Sequence, residues 1–356
     1  MEQFISVITI FGILAGSFDA IIGYRYKVGD KFRQGFSMIG PMMLSMAGIM
    51  TIAPVIAIIV RPAANLLSDF FHIDPSVLSV ILCCDMGGYP LAMSLTENHA
   101  VGLLMGVIVS GMIGGTLTFT IPMGYELLGQ DTLKYFMKGV LIGVGCIPVG
   151  CLVGGILLGI PLPIILYNCL PVIILSGLIG FGMKKTPDLM LGIMKRLGKA
   201  VECISIAGIV LGCMEYLFHI PALSGLDPLM DSMLVICKMA VTLIGMFPAM
   251  TILSRLFEKP LKLLGKRMNL DADATLGLLF TMVSSVPVFP MLNKMSKKGI
   301  IINSAWFVAV SAVFGSQLGL VMGTCPEILP AFFAAKIVTG LAVILTMQLL
   351  FSRGKI

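Results

Sequence analysis

Apolar runs, each about as long as a bilayer is thick, follow one another along the whole chain with short polar stretches between them. A hydrocarbon core of ~30 Å needs about 20 such residues per helix. Measured that way, segments fall near residues 4–22, 36–60, 76–95, 100–123, 136–159, 163–183, 199–218, 232–256, 274–293, 300–323 and 330–352. The stretch from Val140 to Met183 carries no charge and is long enough for two spans, with Pro161 and Pro163 marking the turn. The pattern predicts an all-α polytopic membrane protein with eleven hydrophobic segments.

Basic residues change that picture. They cluster after segments one (Arg25, Lys27, Lys31, Arg33), four (Lys134, Lys138), six (Lys184, Lys185, Lys195, Arg196, Lys199), eight (Arg255, Lys259, Lys262, Lys266, Arg267) and nine (Lys294, Lys297, Lys298), and at the end (Arg353, Lys355). Cytoplasmic loops carry the excess of Lys and Arg. If all eleven segments crossed, the first and third clusters would lie on opposite sides. If segments three and nine instead enter and return on one side, 21 of the 24 basic residues share one face, leaving only Arg61, Lys238 and Lys336. The expectation is therefore nine crossings plus two re-entrant segments, with the N-terminus outside and the C-terminus cytoplasmic. The first residues, Met-Glu-Gln, lack a basic region and read as a retained helix.

Segments three and nine also look broken. The third holds Gly87, Gly88 and Pro90, and the ninth holds Pro287 and Pro290. Proline in mid-helix removes a hydrogen bond, and in lipid the freed backbone is tolerated only inside protein or along a wet cavity. Sliding the chain by 197 residues aligns Asp74 with Asp271, residues 87–90 with 284–287, and Gly102 with Gly299. Segments one to five then match seven to eleven in opposite orientation, the inverted-repeat plan of many secondary transporters. The expected organisation is a first repeat over 1–160, a linking helix and cytoplasmic loop over 161–198, and a second repeat over 199–356.

Composition sharpens the class. Hydrophobic residues make up 58% and charged residues 12%, too little charge to cover a soluble surface. The net charge of +6 is a topology signal and implies no nucleic acid. Nine Cys include no CxxC pair and read as small packing residues, and His72, His99 and His219 lie near span ends without ligand spacing. No metal or other cofactor is expected. Neither HExxH, GxSxG nor a phosphate loop occurs, so the chain reads as a non-enzyme.

An intramembrane carboxylate is a functional hypothesis by default. Asp85 sits just before the Gly-Gly-Tyr-Pro break, where a half-helix ends and its carbonyls favour a cation. Tyr89 adds a ring or hydroxyl, and Gly87 and Gly88 form the break. Pairing of Asp85 with Lys238 or Lys336 is the competing role. Asp19 is a second candidate, with an interfacial position the alternative. Ser284 and Ser285 occupy the second break and offer hydrogen bonds to a substrate. Glu202 and Glu215 bracket segment seven, while Ser316, Gln317 and Asn168 suit helix–helix hydrogen bonding.

At CCDMGGYPLAMSL (83–95) the chain resembles the ethanolamine permease (EutH) family of bacterial ethanolamine-utilisation systems. The likeness recurs in 47–57, 147–157, SGLDPLM (224–230), RLFEKPL (255–261) and VPVFPMLNKM (286–295). It implies an inner-membrane protein that brings in ethanolamine for an ammonia-lyase. Asp19 and Asp85 match the family pattern. The family often has Asn-Asn where this chain has Ser284-Ser285, and Asp-His can stand where it has Ser316-Gln317. The substrate class therefore widens to a small amine or amino-alcohol. Two functions stay open beside a permease taking up the ammonium form: a passive channel with the same constriction, and a scaffold or sensor, for which the short loops leave little surface. Partners are the substrate and the lipid bilayer, with room for a homo-oligomer.

Overall fold

A computed structural model describes residues 1–82, 87–220, 225–256, 260, 263, 265 and 267–352. In chain order the helices are α1 (Glu2–Ile21), α2 (Gly29–Phe71), α3 (Val77–Leu82), α4 (Gly88–Leu95), α5 (His99–Leu127), α6 (Gln130–Leu157), α7 (Leu162–Lys185), α8 (Pro187–Phe218), α9 (Leu229–Leu256), α10 (Ala272–Val283), α11 (Val288–Leu292), α12 (Lys297–Val310), α13 (Ser316–Thr324) and α14 (Leu329–Ser352). α2 contains one π-turn, at Met43–Ala47, and α5 two, at Leu104–Val109 and Thr116–Thr120. No strand occurs among the described residues. α1, α2, α5, α6, α7, α8, α9 and α14 are each long and apolar enough to cross a membrane. Their outer faces expose large apolar side chains, such as Ile10, Leu14 and Phe18 on α1 and Leu170, Ile174 and Leu178 on α7, as lipid contact demands.

Two expectations are refined. Residues 184–198 form no loop: apart from Thr186 they are helical, and α8 begins at Pro187. Lys195 pairs with Glu126 at the end of α5 (3.2 Å) and Lys199 with Glu202 (2.8 Å), which supports this first, basic part of α8. Segment ten is not one helix either. It breaks at 311–315 between α12 and α13, with Ala312 at φ +56°. The break finds partners in the last turn of α10: the Ala312 N–H donates to the Thr281 carbonyl (3.1 Å) and the Phe314 N–H to the Met282 carbonyl (2.8 Å).

Close glycine contacts fix the directions of the helices. Gly12 of α1 lies on the Gly245 carbonyl of α9, and Gly16 on Pro248, so α1 and α9 run parallel. Gly48 of α2 lies on the Ser205 carbonyl of α8, and Gly212 on Thr51, so α2 and α8 are parallel too. Gly139 and Gly143 of α6 meet Ile301 and Ala305, which makes α6 parallel to α12. Gly150 and Gly154 meet Met112 and Ile108 on α5, antiparallel, and Thr339 and Ala335 on α14, also antiparallel. These directions agree only if the 77–95 and 272–292 segments do not cross. A crossing at the first would reverse α9 against α1.

Both segments are hairpins whose ends meet. At the first, Asp74 precedes α3. Its carboxylate accepts from the N–H of Ser76 (2.9 Å), the Thr96 hydroxyl (3.1 Å) and the N–H groups of Glu97 and Asn98 (3.2 Å each), just beyond α4. At the second, Asp271 caps α10 by accepting from the Ala274 N–H (2.7 Å) and takes the Ser296 N–H (2.9 Å) beyond α11. Burial pushes the Asp271 carboxyl up, but the Ser296 hydroxyl and the N–H groups of Ala274 and Ser296 outweigh it and hold it below its ordinary range. Since α5 and α12 run oppositely, the two mouths lie at opposite ends of the bundle. Phe289 anchors α11 in the core against Phe307 (5.3 Å) and Phe136 (5.9 Å).

Candidate functional site

The hairpin tips converge on the centre of the bundle. α4 lies antiparallel along α5, with Thr96 against Gly102, Ala92 against Gly106, and Gly88 against Ser110. A Cβ at Gly88 would collide with the Ser110 hydroxyl, so only glycine lets the tip come this close. Gly87 packs on Ile49 of α2. One residue beyond Ser110, the Gly111 carbonyl accepts from the Gln317 side-chain amide (2.7 Å). Gln317 stands at the start of α13, directly after the 311–315 break. At the other edge of that break the Ser311 hydroxyl donates to Ser285 Oγ (3.2 Å), at the tip of the second hairpin. A buried polar layer thus runs from tip one to tip two by separate contacts: Gly88 on Ser110, Gln317 on the Gly111 carbonyl and, across the 311–315 break, Ser311 on Ser285.

Among the expected site residues, Gly87, Gly88 and Ser285 belong to this layer. Asp85, with Cys83, Cys84 and Met86, lies outside the described residues, in the connection between Leu82 and Gly87. Tyr89 is half-buried at the start of α4, with its hydroxyl near Thr324 at the far end of α13. Ser284 turns back on its own chain, its hydroxyl accepting from the Val286 N–H (3.3 Å). Asp19 is elsewhere: its buried carboxylate accepts from the N–H groups of Tyr26, Val28 and Gly29 (2.8 Å each), closing the turn into α2. It lines, with Tyr26 and Arg255, a cavity of about 430 Å³ where α1 and α9 end. Of the two intramembrane lysines, Lys238 is exposed, whereas Lys336 is wholly buried on α14 with its ammonium 5.7 Å from the Phe332 ring centre.

Sequence reasoning missed Ser110 and Ser311. Both stand among apolar and small residues, and Ser311 meets Ser285 only through the tertiary approach of the second hairpin. Gln317 makes the interhelical hydrogen bond expected of it, whereas Asn168 accepts through Oδ1 from the N–H of Asp74 (2.8 Å), in the connection before α3, and donates to the Ile164 carbonyl of its own helix (2.9 Å). Gln317→Leu should cost about 1 kcal/mol, the usual worth of a hydrogen bond between membrane helices. Thermal unfolding of the detergent-solubilised protein measures it, and an unchanged midpoint would refute the assignment.

Hydroxyls, an amide and backbone in this buried layer can exchange hydrogen bonds with a small polar solute. The family described as "Ethanolamine utilisation protein, EutH" matches residues 1–350. The chain belongs to the EutH family. Relatives include the "Probable ethanolamine permease EutH" of Listeria monocytogenes, 33% identical over 96% of this chain and 92% of that protein. YxeR of Bacillus subtilis is 34% identical over 92% and 89%, and the "Probable ethanolamine permease EutH" of Escherichia coli is 29% identical over 89% and 84%. No solved structure matches the chain. Membership of the EutH family together with the apolar helices makes this a multi-pass inner-membrane transporter and not an enzyme.

Proposed function

We propose that this chain is a permease that brings ethanolamine, as its ammonium cation, into the cytoplasm. The observation that carries the reading is the meeting of two hairpin tips, entering from opposite ends, at one buried polar layer. The names of the Listeria and Escherichia relatives supply the substrate. Asp85 neutralises the ammonium group, Gly87 and Gly88 let backbone approach it, and Ser285 with Ser284 contacts the hydroxyl. Tyr89 closes the far side and Asp19 holds the turn at one face. The positive face is cytoplasmic, with the N-terminus outside.

Residues 1–160 and 199–356 are proposed to be inverted repeats joined by 161–198. Supporting this, Asp74 and Asp271 bridge the two hairpin mouths alike. The Gly12–Gly245 contact of α1 with α9 likewise has its counterpart in the Gly208–Gly48 contact of α8 with α2.

Labelled ethanolamine uptake into proteoliposomes tests the function. A carrier shows saturation and counterflow driven by trapped unlabelled ethanolamine. Uptake without either would favour a channel, and no uptake of ethanolamine or other small amines would overturn the permease.

A further inference from the structure

The mouths of the two hairpins are built on the same plan at opposite ends of the bundle, and both are tied to the long-helix framework. At the first, Asp74 gathers N–H and hydroxyl donors from both legs, while its own N–H is held by Asn168 of α7. Asn98 then starts α5 by capping the N–H groups of Ala100 and Val101. At the second, Asp271 joins the start of α10 to Ser296, which in turn caps α12 through the Gly299 N–H (3.1 Å). The neighbouring Lys298 ammonium donates to the Met268 carbonyl (2.7 Å). Gly102 and Gly299 give these clusters room: a Cβ would strike Thr96 at one and Ala274 and Asp271 at the other.

We infer that Asp74 and Asp271 are positioning residues of the two gates, each clamping the two legs of its hairpin together so that they move as one piece. The inference rests on the permease reading. Hydrogen bonds from N–H groups to a carboxylate are stronger than those between neutral groups, so each hairpin hinges where the chain joins the fixed helices. Without its clamp, a hairpin's legs separate and the central layer opens more readily to the face where that hairpin enters. Because the mouths face opposite ways, losing one clamp and losing the other must bias the transporter in opposite directions. A carboxylate serving only stability would lower both directions alike.

The test uses the full-length protein in vesicles of each orientation, with half-saturation for labelled ethanolamine measured from both faces. Asp74→Asn and Asp271→Asn keep size and one acceptor oxygen. The ratio of the two half-saturation values should shift about fivefold or more in opposite senses, and the double variant should return towards the wild-type ratio. Asp271→Ser keeps the helix cap while shortening the reach to Ser296, and is expected to shift the ratio as Asp271→Asn does. Shifts in one common sense, or slower transport at an unchanged ratio, would overturn the clamps while leaving the permease intact. A wild-type protein without saturable ethanolamine transport would overturn both.

Discussion

Asp85→Asn should abolish uptake of labelled ethanolamine while leaving the protein folded in the membrane. A cation leaving water for an apolar bundle needs a counter-charge, and removing one partner of a buried ion pair costs about 3–5 kcal/mol. That corresponds to an affinity loss of more than a hundredfold. The competing role for Asp85 is to balance Lys336, which is wholly buried in the same bundle. The two roles separate experimentally. A substrate carboxylate predicts an unchanged unfolding midpoint without ligand and loss of the stabilisation that ethanolamine gives the wild type. A counter-ion for Lys336 predicts a destabilised Asp85→Asn protein that Lys336→Met repairs. Full uptake by Asp85→Asn would remove Asp85 from the site altogether.

Features written locally in the chain were legible in it. Apolar runs mark helices because lipid admits little else, and Gly87, Gly88 and Pro287 mark breaks because they weaken or forbid a continued helix. The basic clusters predicted two segments that turn back, and the hairpin closures at Asp74 and Asp271 meet that expectation. The 311–315 break was not legible. Only Ser311 and Gly315 hint at it, and the tertiary partners that hold the interruption, the carbonyls of Thr281 and Met282, are distant in the chain. Asp19 carried two readings for a related reason. A carboxylate near a span end looks the same in sequence whether it awaits a cation or closes a turn, and here its oxygens accept from the N–H groups of Tyr26, Val28 and Gly29. Asp74 and Asp271 were visible as aligned positions, but the donors that close each hairpin, Thr96, Glu97 and Asn98 at one and Ser296 at the other, come from its far leg.

Gly12→Leu and Gly208→Leu should each strongly destabilise the protein, and to a similar degree. At Gly12 a Cβ would run into the Gly245 carbonyl, and at Gly208 into the Gly48 carbonyl. Neither obstacle is a side chain able to choose another rotamer; both are backbone, so the whole helix must move away. Membrane helices associate through such close approaches, having no hydrophobic effect between them to compensate a gap. The expected cost is about 3 kcal/mol, at the upper end for overpacking. Gly177→Leu is the control: nothing lies within 4 Å of a Cβ there, and leucine is a better helix former than glycine, so stability should hold or rise. Thermal unfolding in detergent and the fraction of monodisperse protein measure all three. The comparison reaches beyond packing, because Gly12 and Gly208 lie at matching places in the two proposed repeats. Damage at Gly12 with tolerance at Gly208 would mean that the halves do not share one plan, and the symmetric gating built on it would fall.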